Sequence, residues 1–366
     1  MRENLPVSEL SQIIRSEIGT HGPISFARFM ELALYHPGLG YYETDRQRVG
    51  FQGDFYTSVS TGELFGQLLA FRFAQWLEAL PNAAGGLWLI EAGAHDGQLA
   101  RDILSWLTDQ RPELYNQLHY AIIDPSPLRQ AWQREKLAEF GDRVRWFGHL
   151  SALAKTNGII FSNELLDALP VHRLGWDKTR RVWFEWGVTV EGEHFAWMKI
   201  THDIGKLTSA LKLPDELLNV LPDGYTIEVS PAADDWWQAA AACLVQGKLL
   251  AIDYGFTQEE LISPARTNGT LRGYHQHQFS ENVLAHPGAQ DLTAHVNFSA
   301  VQSAGERAGL KTHVYATQPQ FLTGILGDAI KAPSFGAWNA RRTRQFQTLT
   351  HPQHLGRAFK VLIQGR

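Results

Sequence analysis

Residues 89–104, "LIEAGAHDGQLARDIL", decide the fold of this chain. Apolar residues run into two glycines, and a segment with apolar residues at helical spacing follows. The pattern predicts a buried strand, a glycine turn and a helix, which are the first parts of a βαβ unit. Ligands of such sheets bind beyond the carboxyl ends of the strands. The turn with Gly93 and Gly97 is therefore the leading candidate for a binding site.

Further short apolar strands alternate with helices along the chain. The predicted strands are "LWLIEAG", "HYAIID", "RVRWFG", "GIIFSNE" and "KLLAIDYG", and the helices include "PLRQAWQREKLAEF" and "AADDWWQAAAACLVQG". This alternation indicates a parallel sheet with helices on both faces. The predicted fold class is therefore α/β, with a Rossmann-like sheet.

The remaining segments suggest how the chain is organised. "SELSQIIRSEIG" and "SFARFMELALY" predict two N-terminal helices, each capped by its first serine. "RRVWFEWGVTVEGEHFAWMKI" predicts a β-hairpin in an insertion at about 171–227, and a second, irregular insertion covers about 256–298. We expect an N-terminal helical segment with a cofactor-covering loop at 1–84, and the sheet domain with both insertions at 85–366.

The composition is typical of a folded protein without a strong charge bias. Of the 366 residues, 44% are hydrophobic, and the net charge of -5 gives no general attraction to nucleic acid, so we expect no nucleic-acid partner. A single cysteine excludes an internal disulfide framework. No apolar run approaches the roughly 18 residues of a membrane helix, so we expect no membrane insertion. These features predict a cytoplasmic protein.

The chemistry of the glycine turn bears on its ligand. A dinucleotide site favours GxGxxG, but "EAGAHDGQL" has His95 at the middle position, and Glu91 would repel phosphates. S-adenosylmethionine, by contrast, carries a positively charged sulfonium and an amino group, which an acidic turn attracts. Asp124, at the end of the second strand, can accept hydrogen bonds from both ribose hydroxyls. We predict S-adenosylmethionine as the cofactor; the alternative is a tight turn with Asp124 as a helix cap.

The stretch "SNELLDALPVH", residues 162–172, supplies polar residues at the same sheet edge. Asn163 and Glu164 follow the fourth strand. Glu164 and Asp167 lie three residues apart and would share one face of a helical turn, where the pair could hold a cation. Alternatively, Asp167 caps a helix and Glu164 is solvated.

A metal site would have to come from histidines late in the chain. His275, His277, His286 and His295 are candidates for a zinc site, but no pair has a familiar spacing of metal ligands. We therefore predict no metal.

Several motifs, taken in order, resemble the MidA-like family of class I S-adenosylmethionine-dependent methyltransferases. They are "FMELALYHPGLGYY", "GDFYTSVS", "EAGAHDGQLARDIL", "SNELLDALPVH", "LLAIDYG", "TLRGYHQH" and "PGAQDLTAHVNF". The resemblance implies a Rossmann-like class I sheet, a methyl donor, a protein substrate and a homodimer. The mitochondrial member of the family, a complex I assembly factor, is known as an arginine methyltransferase.

The resemblance also suggests roles for individual residues. The glycine motif of the family matches Glu91, Gly93 and Gly97, while His95 and Asp96 depart from its usual pattern. The implied cofactor-binding residues are Asp54, Thr57, Ser58, Glu91, Gly93, Gly97, Asp124, Ser126 and Asn163.

Methyl transfer from a sulfonium needs orientation and a proton acceptor more than a covalent nucleophile. An acceptor guanidinium is normally protonated, so carboxylates must aim one nitrogen and receive its proton. We hypothesise that Glu164 and Asp167 do this. Two alternatives remain: a nicotinamide dehydrogenase, which His95 and Glu91 disfavour, and a catalytically weak or inactive assembly factor with the methyltransferase fold, which the altered turn favours.

Overall fold

The computed structural model describes residues 8–44, 57–81, 86–200, 203–211, 213–275, 278–352, 355 and 359–366. The chain divides into two compact units. The first comprises Met1–Phe55, Asp167–Asp234 and Phe256–Ala300. The second comprises Tyr56–Leu166, Asp235–Gly255 and Val301–Arg366.

The helices and strands are numbered in chain order. The helices are α1 Glu9–His21, α2 Phe26–Tyr35, α3 Leu64–Glu78, α4 Gln98–Gln110, α5 Pro112–Gln117, α6 Pro127–Lys136, α7 Gly205–Leu211, α8 Asp215–Val220, α9 Pro231–Cys243, α10 Gln258–Leu261, α11 Phe298–Arg307, α12 Gln318–Ala329 and α13 Ala340–Thr350. The strands are β1 Ile24–Ser25, β2 Leu87–Ala92, β3 Leu118–Ile123, β4 Val144–Phe147, β5 Thr156–Asn163, β6 His172–Asp177, β7 Val182–Glu191, β8 His194–Ile200, β9 Thr226–Val229, β10 Leu244–Phe256, β11 Arg272–His275, β12 Gln278–Ser280, β13 Asp291–Thr293, β14 Val296–Asn297, β15 Lys311–Thr317 and β16 Phe359–Gly365.

A mostly parallel sheet forms the centre of the second unit. Its strands follow the order β4–β3–β2–β5–β10–β16–β15. β2 pairs in parallel with β3 on one side and with β5 on the other. β16 is antiparallel to both β10 and β15. This arrangement confirms the predicted α/β, Rossmann-like fold class.

The sheet is buried because helices cover it, as its continuous apolar strands predicted. Tyr120 of β3 and Phe161 of β5 are fully buried in a core shared with α3 and α4. The ring centroids of Phe73 and Phe161 lie 5.0 Å apart, which fixes α3 against the central strands. α3 therefore belongs to the sheet unit.

The first unit contains the N-terminal helices and both predicted insertions. α1 and α2 begin after Ser8 and Ser25, whose side chains accept hydrogen bonds from main-chain N–H groups of the first turn. β7 and β8 form an antiparallel hairpin, with Glu191 opposite His194. Both serine caps and the hairpin are confirmed. In the second inserted segment, β11 pairs with β12 and β13.

These compact units differ from the predicted segments 1–84 and 85–366. The difference arises because α3 packs on the sheet, while the N-terminal helices cluster with the inserted strands. As a statement about independent domains, the predicted division stays a prediction. Within the described ranges, no helix is both long and apolar enough to cross a bilayer.

Gly158→Ala should destabilise the protein strongly. A Cβ atom at Gly158 would lie 1.9 Å from the main-chain oxygen of Trp88 on the neighbouring strand. Because backbone on both strands must shift, we expect a loss of more than about 2 kcal/mol. Gly324→Ala in α12 is the control: nothing lies within 4 Å of its Cβ position, and the change should stabilise the helix by up to about 1 kcal/mol. Urea denaturation measures both effects, and wild-type stability of Gly158→Ala would contradict the close approach.

Candidate active site

Three parallel strands of the second unit bring the main candidate residues to one edge. Ala92, the last residue of β2, lies opposite Ile123 of β3 and Ser162 of β5. The polypeptide leaves the sheet just beyond these positions, so the glycine turn, Asp124 and Asn163 meet at the carboxyl edge. Parallel register thus assembles residues that are far apart in the sequence.

The glycine turn has a left-handed main chain at alternate positions. The φ angles of Gly93, His95 and Gly97 are +73°, +48° and +86°. Glycine takes such angles at little cost, whereas a side chain makes them costly. His95 therefore keeps the left-handed main chain at the position where the resemblance implies a glycine.

Asp96, the second departure from the family pattern, closes the base of the turn. Its Oδ1 accepts a hydrogen bond from the N–H of Gln98 at 3.1 Å, at the start of α4. Its Oδ2 lies 2.5 Å from Lys136 Nζ. Burial alone would raise the pKa of Asp96, but hydrogen bonds and charges from His95 and Lys136 lower it below its ordinary value. Asp96 is thus a structural anion.

Glu91 is a buried carboxyl group immediately before the turn. Tyr120 Oη donates a hydrogen bond to its Oε2 at 2.5 Å. Burial, with smaller contributions from the carboxylates of Asp96 and Asp102, raises the pKa of Glu91 to about 8 despite this hydrogen bond. Glu91 therefore keeps a proton at neutral pH, and a nearby cation would favour its ionised form.

Asp124 is buried directly after β3 with both carboxylate oxygens held. Oδ1 accepts a hydrogen bond from the N–H of Ser126 at 3.0 Å, and Oδ2 accepts one from Gln133 Nε2 at 2.8 Å. Ser126 itself caps α6 by accepting from the N–H of Arg129. Asp124 is therefore not the side-chain cap of α6. Because a carboxylate has about four acceptor positions, each oxygen retains capacity for another donor.

Asn163 and Glu164 follow at the end of β5. Asn163 Nδ2 donates to Glu164 Oε1 at 3.0 Å. Asn163 Oδ1 is buried and has no hydrogen-bond partner in the part of the chain that the structure describes. A buried acceptor of this kind suits an N–H donor on a ligand, because leaving it unpaired is costly.

The structure does not place Glu164 and Asp167 on one helical turn. Glu164 has a φ of +53° and precedes the single turn Leu166–Ala168. A left-handed residue cannot be part of a right-handed helical turn, so the predicted shared face is wrong. Asp167 belongs to the first unit, where it is buried and its carbonyl accepts from the N–H of Ala294 at 2.9 Å.

Sequence reasoning missed Asp253, which is fully buried near the end of β10. Its Oδ2 accepts hydrogen bonds from the N–H groups of Leu165 and Leu166 at 3.1 and 2.8 Å. Its Oδ1 accepts from the N–H of Tyr254 at 2.8 Å. Asp253 thereby fixes the segment that follows Glu164. The signal was present in "LLAIDYG", where a carboxylate follows an apolar strand as Asp124 does.

The remaining cofactor candidates lie in the N-terminal signature. Asp54 lies outside the described residues. Thr57 Oγ1 accepts a hydrogen bond from the N–H of Ser60 at 3.2 Å, and the buried Ser58 donates to Gln318 Oε1 at 3.2 Å. These contacts give both hydroxyls structural partners, and cofactor binding by them stays a prediction.

Of the late histidines, His275 and His286 stack with ring centroids 5.7 Å apart. His275 Nδ1 lies 2.7 Å from the carbonyl oxygen of Ala289, and burial lowers the pKa of His295 to about 4. His277 lies outside the described residues. Among the described residues, no group of three His, Cys, Asp or Glu side chains could hold a metal ion.

A family model described as S-adenosyl-L-methionine-dependent methyltransferase matches residues 68–316, well over half of the chain. The chain belongs to this methyltransferase family. This result confirms the predicted family, the enzyme class and S-adenosylmethionine as the cofactor. It also removes the nicotinamide dehydrogenase alternative.

Two crystal structures of Burkholderia thailandensis proteins are similar to this methyltransferase over nearly its whole length. One, bound to S-adenosyl-homocysteine, is 32% identical with a TM-score of 0.84, covering 98% of this chain and 92% of that one. The other is 33% identical with a TM-score of 0.81, covering 98% and 91%. The mitochondrial protein arginine methyltransferase NDUFAF7 of Danio rerio is 27% identical, over 95% of this chain and 84% of the relative.

The predicted cytoplasmic location is contradicted by these comparisons. The curated relatives, which include those of Drosophila melanogaster, Bos taurus and Homo sapiens, are named as mitochondrial proteins. The prediction rested on a single cysteine and on the lack of long apolar runs. These features exclude a disulfide framework, but they do not choose between one reducing compartment and another.

Glu91→Gln should stabilise the ligand-free methyltransferase by an amount that grows as the pH rises from about 5 to about 9. The pKa of Glu91 rises from 4.5 to about 8 on folding. The associated stability is fully present below the lower value and is lost as the pH rises through the upper one. An amide cannot ionise and avoids that loss. Thermal unfolding should show a gain of several degrees at about pH 9 and little gain at about pH 5. An equal difference at both pH values would contradict the buried, protonated carboxyl group.

Proposed function

We propose that this methyltransferase methylates an arginine side chain of a protein substrate. The observation that carries the proposal is the Glu164 carboxyl group, which lies partly exposed at the sheet edge that also holds the glycine turn. The relatives named protein arginine methyltransferases match nearly the whole chain, which supports the same choice of acceptor.

The residues at the edge fit the methyl donor. Asp124 retains acceptor positions for the two ribose hydroxyls, and the buried Asn163 Oδ1 has capacity for an amino group. Gly93 has no side chain, so the main chain there can come close to the methyl donor. A Cβ atom at this position would also lie 3.0 Å from the Leu165 side chain. Glu91 supplies a carboxyl group that a cation would ionise. S-adenosylmethionine supplies a methyl group that is already activated on a sulfonium.

Glu164 suits the acceptor side of the reaction. A guanidinium has a pKa above about 12, so it arrives protonated and must lose a proton on methylation. A carboxylate can hold it through charge-assisted hydrogen bonds and then accept that proton. The main chain of Glu164 is left-handed, and its N–H donates to the carbonyl oxygen of Ile252 at 3.0 Å. These two features fix the main-chain position from which the carboxylate side chain extends. Asp167 remains the second predicted carboxylate.

A catalytically weak or inactive assembly factor is the second candidate function, because His95 stands where the family usually has glycine. The left-handed main chain of the turn argues for a cofactor site that keeps its shape. A homodimer and the lack of a nucleic-acid partner stay predictions.

Glu164→Gln should reduce protein methylation at least about a hundredfold, since a positioned general base contributes about that much. The assay combines the purified protein, labelled S-adenosylmethionine and a hypomethylated lysate, with amino-acid analysis for methylarginine. Affinity for S-adenosylhomocysteine should stay within about threefold, because the amide keeps the shape of the side chain. Asp167→Asn tests the second carboxylate in parallel.

Glu139→Gln, at an exposed carboxylate paired with Arg101, is the control and should leave methylation unchanged. Unchanged turnover of Glu164→Gln would remove its catalytic role. Label in a residue other than arginine would overturn the acceptor, and no label in any protein would favour the assembly factor.

A further inference from the structure

Gln133 makes a set of hydrogen bonds that connects separate parts of the cofactor edge. It lies in α6 and its side chain is fully buried. Its Nε2 donates to the carbonyl oxygen of His95 at 2.9 Å and to Asp124 Oδ2 at 2.8 Å. Its Oε1 accepts a hydrogen bond from Trp146 Nε1 at 3.0 Å. One amide thus joins the glycine turn, the residue after β3, and β4.

The chemistry of these partners fixes the orientation of the amide. An indole N–H can only donate, so the atom that faces Trp146 must be the oxygen. The nitrogen then faces two acceptors and uses both of its hydrogens. Trp146 is itself covered by the guanidinium of Arg134, whose Cζ lies 4.2 Å from the ring centroid. Rotation of the amide by 180° would break all three hydrogen bonds.

We infer that Gln133 is a positioning residue of the cofactor site, which holds the left-handed turn at His95 and the Asp124 carboxylate in one fixed relation. The hydrogen bond on the His95 carbonyl supports a main-chain conformation that is costly for a residue with a side chain. The hydrogen bond on Asp124 leaves its free acceptor positions aimed for ribose. Preorganisation of this kind lowers the cost of binding the donor.

This inference rests on the proposed ribose-binding role of Asp124, and it does not depend on which protein is methylated. Donor binding is therefore the readout. A loss of methylation with unchanged donor binding would bear on the proposed function. A change in donor binding when residue 133 is substituted would bear on this inference.

Gln133→Glu tests the inference with almost no change of shape. The new carboxyl group can still accept from Trp146, but its second oxygen faces two acceptors and needs a proton. We expect the dissociation constant for S-adenosylhomocysteine, relative to wild type, to rise at least about tenfold at pH 8. The ratio should return to within about threefold near pH 5, because the new carboxyl group is then protonated and can donate a hydrogen bond to Asp124. Isothermal titration calorimetry at both pH values measures it.

Other ionisable groups are present in both proteins, so they enter the ratio only where the new carboxylate shifts their titration; Gln130→Glu adds a carboxylate on the same helix and reports that general effect. On the elements that surround the amide, these groups are His95, Asp96, Asp124, Arg129, Arg134, Glu135, Lys136 and Arg145. Gln130→Glu is the matched control: Gln130 lies one turn earlier in α6 and donates to the main-chain oxygen of Asp124 at 2.8 Å, but its side chain is partly exposed, so a carboxylate there can turn to water. It should change the affinity less than about threefold at either pH.

A second variant covers the case in which Gln133→Glu does not fold. Trp146→Phe leaves Gln133 and Asp124 in place and removes the N–H that orients the amide, so the affinity should fall at least about threefold at both pH values. A weakened affinity of folded Trp146→Phe would support the inference. Wild-type affinity of Gln133→Glu at pH 8, the same weakening of that variant at both pH values, or wild-type affinity of Trp146→Phe would overturn it.

Discussion

The parallel pairing of β2 with both β3 and β5 is the constraint on which the cofactor edge depends. Each pair is in register up to the last residues of the strands, so Glu91, Asp124 and Asn163 reach one edge from three parts of the chain. A register slip of one residue would turn every side chain of the shifted strand to the opposite face. The chemistry therefore lies in the turns just beyond the sheet, while the apolar strands keep those turns in place.

The buried carboxyl groups at this edge are stabilised in two different ways. Asp124 and Asp253 accept hydrogen bonds from main-chain N–H groups and, for Asp124, from Gln133. Glu91 has the Tyr120 hydroxyl and a pKa raised by burial to about 8. The hydrogen bonds to Asp124 and Asp253 fix the geometry of these carboxylates. The burial of Glu91 instead leaves a carboxyl group that a nearby cation would ionise. A site for a sulfonium and an amino group needs both.

The sequence predicted those features whose cause is local. Apolar runs gave the central strands, serines marked the helix starts, and the turn residues with Asp124 pointed to adenosine. The missed features depend on contacts between distant segments. Nothing local distinguishes Gln133 in its helix or Tyr120 in its strand, because their partners are fixed only when the sheet forms. The spacing of Glu164 and Asp167 misled because Glu164 is left-handed. β16 was not predicted, although "FKVLIQG" is an apolar run, and its antiparallel direction follows from pairing with β10 and β15 rather than from its own sequence.

The central claim is that the turn containing His95, together with Asp124, binds the methyl donor. Isothermal titration calorimetry with S-adenosylhomocysteine, and with NADH as the control ligand, tests it most directly. We predict micromolar binding of the first and no heat from the second. Asp124→Ala should weaken binding roughly tenfold to a hundredfold, as expected for losing a charge-assisted hydrogen bond, and Gly93→Val should also weaken it. No binding by the wild-type protein, or wild-type affinity in both variants, would contradict the account.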